Sequence, residues 1–222
     1  MHRKKYCFTL FPLFQTKALK QSVFAKTHKG KFAKYASIKV CIYRGYSLLN
    51  IVMLGYRGTG KSIVAKILSD ELGRKLYRVD DLIVRAAGKP IPEIVRQHGW
   101  VGFRKLECEI VSQVAGEAYG SIIDCGGGVV LDDNNMILLK REGRCVLLRA
   151  SLSAIIRRIK KDHNRPSLNE GLSFEEEQKK ILADRHEKYH SSADFICDTT
   201  SRRPRETASE IISFFKDQGW LK

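Results

Sequence analysis

The octet Gly55-Tyr56-Arg57-Gly58-Thr59-Gly60-Lys61-Ser62 constrains this chain more than any other stretch. It fits the pattern G-x4-G-K-[ST], which has physical meaning only when a strand delivers the loop and a helix leaves it. Both conditions are met. Asn50-Ile51-Val52-Met53-Leu54 is an apolar run just before it, and Ile63-Val64-Ala65-Lys66-Ile67-Leu68 continues as a helical pattern after it. The glycines let backbone N–H groups wrap phosphate oxygens, and the following helix presents a positive N-terminus. Gly58, Thr59, Gly60, Lys61 and Ser62 are therefore the candidate ATP-binding residues, Lys61 reaching the β- and γ-phosphates and Ser62 ligating Mg²⁺. The loop alone does not separate switches, motors and small-molecule kinases.

Downstream of the octet, short apolar runs alternate with helical patterns. Leu49–Leu54, Leu76–Val79, Ser121–Cys125, Arg144–Leu148 and Phe195–Cys197 read as strands. They are short and rich in Val, Ile and Leu, as expected where both faces of a parallel sheet are covered. Helices are expected near 61–72, 92–98, 101–118, 153–161, 174–190 and 204–216. Ser173-Phe174-Glu175-Glu176 is a capping-box start for the long one. The alternation predicts one α/β domain over residues 49–222, without internal repeats or a linker.

The net charge of +16 suggests a nucleic-acid partner until it is located. Residues 1–48 hold eleven Lys/Arg and no acid, which leaves 29 basic against 24 acidic residues for the rest. A nucleic-acid interface should form part of the folded surface, and most of this excess lies outside it, so no nucleic-acid partner is expected. No apolar run approaches the ~20 residues of a membrane span. The six cysteines show no CxxC pair, and Cys125, Cys145 and Cys197 lie in apolar runs as small core hydrophobes. That usage fits a reducing compartment, the cytoplasm. Residues 1–48 read as a basic, unstructured extension. They are either a targeting segment, which would send the protein to a plastid or another organelle, or residues upstream of the true start.

Three further constellations fall where a second substrate would be read. Asp80-Asp81 follows the second strand, at the carboxyl edge where α/β sheets bind ligands. Gly126-Gly127-Gly128 follows the third strand and lets a ligand approach bare backbone. Arg165-Pro166 lies in the polar stretch Lys160–Leu172, where an arginine could close over a transferring phosphoryl group.

From about Asn50 to Trp220 the chain resembles shikimate kinase. The resemblance rests on the P-loop, Asp80 with Ile83 and Gly88, Ile91-Pro92-Glu93-Ile94, and Gly99-Trp100-x-Gly102-Phe103-Arg104-x-x-Glu107. It continues through Gly126–Gly128, Arg165-Pro166, Arg185-x-x-x-Tyr189 and Arg202-Arg203-Pro204. Gly99–Glu107 and Cys125–Val130 look closest to the shikimate kinase part of the pentafunctional shikimate-pathway enzyme. The resemblance implies a P-loop kinase fold, a five-stranded parallel sheet with helices on both faces and a mobile lid. It also implies a Mg²⁺-dependent enzyme that passes the γ-phosphoryl of ATP to the 3-hydroxyl of shikimate, acting as a monomer in aromatic amino acid biosynthesis.

Roles follow residue by residue. Asp80 would bind the ring hydroxyls and act as base, with Lys61 and Arg165 as the other catalytic residues. Arg104 and Arg185 would grip the shikimate carboxylate, since guanidinium forks match carboxylates. Gly126, Gly127 and Gly128 would meet the substrate through backbone, and Tyr189 would give packing support. Arg158 and Pro204 would sandwich the adenine, with Arg165 and Arg202 also on the ATP side.

Two departures bear on the metal. The family usually carries Asp-x-Asp where this chain has Arg78-Val79-Asp80, and an arginine cannot ligate Mg²⁺. Asp124, in turn, stands where the family more often has Ser or Thr, at the strand end where many P-loop proteins place a metal-holding Asp. Ser62 and Asp124 are thus the expected metal pair, the rival reading of Asp124 being a hydrogen-bonded strand end. Ser167 also replaces the more usual Leu beside the lid arginine. The competing functions are a gluconate-type kinase and a kinase-like binding protein that has lost turnover.

Overall fold

The computed structural model describes residues 24–26, 32–34, 48–159 and 173–221. The chain divides into two compact units, 1–45 and 46–222. In the first, strands β1 (Phe24–Lys26) and β2 (Phe32–Lys34) pair antiparallel.

The second unit carries a five-stranded sheet of β3 (Asn50–Gly55), β4 (Leu76–Arg78), β5 (Ile122–Asp124), β6 (Gly143–Arg149) and β7 (Phe195–Asp198). The order is β4-β5-β3-β6-β7 and every pairing is parallel. The reason is visible in β3, whose six residues are all buried. Val52 and Leu54 face one apolar cluster, which includes Val79, Ile83, Phe103 and Val111. Ile51 and Met53 face the other, with Val64, Leu68, Ile211 and Phe215. A strand buried on both faces has no polar side to turn outward, so helices must cover both. The five expected strands are all present, within two residues at each end.

One face is covered by α1 (Lys61–Leu72) and α7 (Pro204–Asp217). The other is covered by α2 (Val79–Ala87), α3 (Ile91–Glu117), α4 (Asp133–Arg141) and the C-terminal part of α6 (Phe174–Ser192). The short α5 (Leu152–Ile159) packs its Ile155 and Ile159 against Tyr56 and Ile181. The two helices expected at 92–98 and 101–118 are one element broken at Gly99, whose φ of 65° and ψ of 178° are non-helical. At the start of α6 the expected capping box is formed, with Glu176 N–H donating to Ser173 Oγ and Ser173 N–H to the Glu176 carboxylate. Two helices escaped the sequence reading, α2 and α4. β4 passes into α2 without an intervening turn, with Arg78 as an extended N-cap that makes no side-chain capping bond.

Because the strands are parallel, their carboxyl ends share one edge. The P-loop leaves β3 there, Arg78 and Asp80 leave β4, and the glycine triplet leaves β5. That edge is where ligands bind in open α/β sheets.

Candidate active site

The P-loop is held by its own hydrogen bonds. Gly58 and Gly60 take φ of 77° and 92°, and Gly60 is the left-handed N-cap from which α1 starts. An L-residue with a side chain rarely adopts that conformation. The Thr59 side chain is turned inward, donating to the Tyr56 carbonyl at 2.7 Å, while its own carbonyl accepts from Thr199 Oγ1 at 2.9 Å. Lys61 is largely buried and its Nζ donates to the Tyr56 carbonyl at 3.0 Å. Arg158 reaches from α5 to the Gly58 carbonyl at 3.1 Å and the Thr199 carbonyl at 2.6 Å. It thereby ties the loop to the connection that leads into Pro204, the first residue of α7.

Two concavities meet at this edge. The larger is lined by Gly58, Gly60, Lys61 and Ser62 on one side and by Arg78, Asp81 and Asp124 on the other. The second is walled by Trp100, Phe103, Arg104, Glu107, the glycine triplet and Arg185, among others. Arg57, Asp80 and Gly127 line both. A carboxylate at the junction of the P-loop cleft and a second pocket is within reach of groups held in either.

The second pocket sets arginines and carboxylates beside an apolar wall. Arg104 is ion-paired to Glu107, one turn along α3, and its guanidinium carbon lies 5.6 Å from the Trp100 ring centre and 5.0 Å from that of Phe103. Gly128 is what lets it sit there, because a Cβ on Gly128 would be 2.1 Å from its Nη2. Arg185 is buried and donates to the Gly127 carbonyl at 3.0 Å, which Tyr189 Oη also contacts. Burial pushes the Tyr189 hydroxyl up to about 12, so it stays protonated as a donor. Gly126 lies against two carboxylates, since a Cβ there would be 2.8 Å from both Asp80 Oδ1 and Glu107 Oε1.

Asp124 ends β5 with only 7% of its surface exposed. Burial raises its carboxyl above the usual range, against the opposing pull of the Lys61 charge and a hydrogen bond from Ser62. Arg78 sits beside it in register on β4. The sequence-derived metal pair therefore lines one cleft. Among the described residues no group of three or more His, Cys, Asp or Glu is arranged for a metal ion. A cation here would need phosphate oxygens to complete its shell, as Mg²⁺ in phosphoryl-transfer sites does.

Not every expected residue converges. Arg202 is ion-paired with Glu210 on α7 and lies 3.8 Å from Cys197 Sγ, and it lines neither pocket. Arg165 lies outside the described residues, as does the rest of the expected lid. The sequence reading missed Arg57, Glu177 and Gln178, all of which line the second pocket. Gln178 is buried and accepts from Tyr56 Oη at 2.6 Å, joining α6 to the P-loop. Its signal was available, because it precedes Arg185 by seven residues and so shares its helix face. Arg57 occupies an unconstrained position of the P-loop pattern and carried no such signal.

The shikimate kinase family model matches residues 57–216. A shikimate kinase from Thermodesulfovibrio yellowstonii is 38% identical, the alignment covering 75% of this chain and 95% of that protein. One from Geobacter sulfurreducens is 36% identical over 76% and 91%. Among solved structures, the Acinetobacter baumannii shikimate kinase in complex with shikimate superposes with a TM-score of 0.73 at 28% identity, covering 78% of this chain and 95% of that one. The Aquifex aeolicus shikimate kinase gives 0.65 at 27% identity over 77% and 98%.

Proposed function

The chain belongs to the shikimate kinase family, and from that membership we infer that it transfers the γ-phosphoryl group of ATP to the 3-hydroxyl of shikimate. The observation that carries the reading is the junction. Asp80 lines both the phosphate cleft and a second pocket furnished with two arginines. An acceptor that pairs a carboxylate with ring hydroxyls fits that pocket, with Arg104 and Arg185 on the carboxylate and Asp80 on the hydroxyls. ATP phosphates would lie along Gly58–Ser62. Arg158, bonded to the Gly58 carbonyl, and Pro204 are the residues proposed to flank the adenine.

With both substrates bound, the 3-hydroxyl oxygen forms a bond to Pγ. The bond from Pγ to the β,γ-bridging oxygen breaks, its electron pair leaving with ADP, and the hydroxyl proton passes to the Asp80 carboxylate. Phosphoryl transfer leans on positioning and charge neutralisation more than on proton removal. Lys61, and Arg165 from beyond the described residues, are the proposed cations on the transferring group. Ser62 and Asp124, which line the same cleft, are the residues proposed to hold Mg²⁺. When bound, that ion would supply charge neutralisation at the phosphates.

Action as a monomer is part of this proposal. No described helix is long and apolar enough to cross a membrane. The buried cysteines Cys125, Cys145 and Cys197 are unpaired thiols, in keeping with the proposed cytoplasmic location. The residues before Leu49 are proposed as an extension outside the kinase domain. NMR of the product tests the acceptor position: phosphorus should couple to the proton on C3 of shikimate. Coupling to a different ring proton would overturn the assignment.

A further inference from the structure

Arg78 ends β4 at the mouth of the phosphate cleft, in register with Asp124. It lines that cleft together with Gly60, Lys61 and Ser62. Its Nε is buried and has no hydrogen-bond partner. Its ion pair, from Nη1 to Asp81 Oδ2, is 3.8 Å long, with the two side chains 42% and 57% exposed. A pair so long and so wet fixes a guanidinium weakly, and it leaves the buried donor unsatisfied. Buried charged donors without an acceptor are costly, and each such group calls for an explanation.

We propose that Arg78 is a phosphate-binding residue that donates to the γ-phosphate of ATP. The position selects that phosphate. Arg78 stands two residues before Asp80, which lines both pockets, so its cleft wall is the one nearest the acceptor. A planar guanidinium with several fixed donors suits a cluster of phosphate oxygens. The charge arrangement is consistent with this. The chain has a cation on β4 and a carboxylate on β5, side by side, so direct neutralisation of phosphate comes from one strand and the metal-side carboxylate from its neighbour. The consequence is that part of the nucleotide's charge is neutralised without a metal ion. The inference rests on the reading of this cleft as the ATP site.

The test is calorimetric binding of the nonhydrolysable ATP analogue AMP-PNP and of ADP to the full chain, in EDTA and in Mg²⁺. Wild type is compared with Arg78→Ala, Arg78→Gln and Arg78→Lys. Arg78→Gln keeps a donor on a shorter, uncharged side chain, so it serves if the alanine variant folds poorly. The expected result in EDTA is a loss of about tenfold or more in AMP-PNP affinity for Ala and Gln, with partial recovery for Lys. ADP, which lacks the γ-phosphate, should change by less than about twofold. Unchanged AMP-PNP affinity, or equal losses for the two nucleotides, overturns the role of Arg78 while leaving the ATP site intact. Failure of wild type to bind either nucleotide overturns the ATP reading itself, and the inference with it.

Discussion

Gly128→Ala isolates the pocket's anion grip without touching a charged residue. The backbone at Gly128, with φ −108° and ψ 0°, is open to alanine. The obstacle is the guanidinium of Arg104, which a Cβ would meet at 2.1–2.2 Å where ordinary contact begins at 3.4 Å. Arg104 must therefore recede by roughly 1.2 Å or more. It cannot do so freely, because Glu107 and the rings of Trp100 and Phe103 surround it. Glu107 is 1% exposed, and leaving it without its cation would be costly, so the pair should shift together. A charge-assisted contact to carboxylate is worth about 1.5–3 kcal/mol. Losing it lowers kcat/KM for shikimate by about 10- to 100-fold, while the ATP KM stays within about twofold. Stability should fall by only about 1 kcal/mol, or about 2–4 °C in Tm for a domain of this size. A coupled ADP-release assay with each substrate varied in turn gives the kinetic split. Combined with Arg104→Ala, the glycine change should add almost nothing, because both act through one group. An unchanged shikimate kcat/KM, or losses that add in full, would refute the reasoning.

Arg185→Ala should raise the shikimate KM by about tenfold or more and leave the ATP KM nearly alone; equal rises would remove Arg185 from the acceptor side. Asp124→Asn should raise the Mg²⁺ concentration needed for half-maximal turnover by about tenfold, read from a metal titration at saturating substrates. An unchanged titration would return Asp124 to a purely structural role. Asp132 caps α4 by accepting from the Asn134 N–H at 2.8 Å, and its hydrogen bonds, that from Cys108 first, hold its carboxyl below the usual range. A depressed carboxylate stabilises the fold above its unfolded pKa and loses that contribution as pH falls through the folded one. Asp132→Ala should thus cost about 1 kcal/mol at neutral pH, with the difference from wild type shrinking on acidification. Thermal melts across pH would show a constant difference if the cap were not charge-dependent.

The sheet was legible because a doubly buried strand writes itself as a continuous apolar run, as β3 and the centre of β6 do. Elements with weak punctuation were not. α2 begins directly after β4 with no Gly, Pro or Ser to mark the change. α4 is nine residues long, and its signal lies in Asp132 alone. The break at Gly99 was legible as a gap between two helical patterns. In the site, residues that present charge toward a pocket could be named from spacing and resemblance. Their local partners could not. Sequence does not say that Arg202 turns to Glu210 on α7. Nor does it say that Arg78 stands beside Asp124, a pairing made by strand order between positions 46 residues apart. That adjacency converts two separate departures from the family pattern into one rearranged edge.

The central claim is an acceptor pocket matched to shikimate and joined to an ATP site at Asp80. Acceptor-dependent ADP release by the full chain, measured with shikimate, with gluconate and with no acceptor, tests it most directly. The account predicts turnover with shikimate only, abolished by Asp80→Asn. Turnover with gluconate, or ATP binding without any shikimate-dependent ADP release, would contradict it.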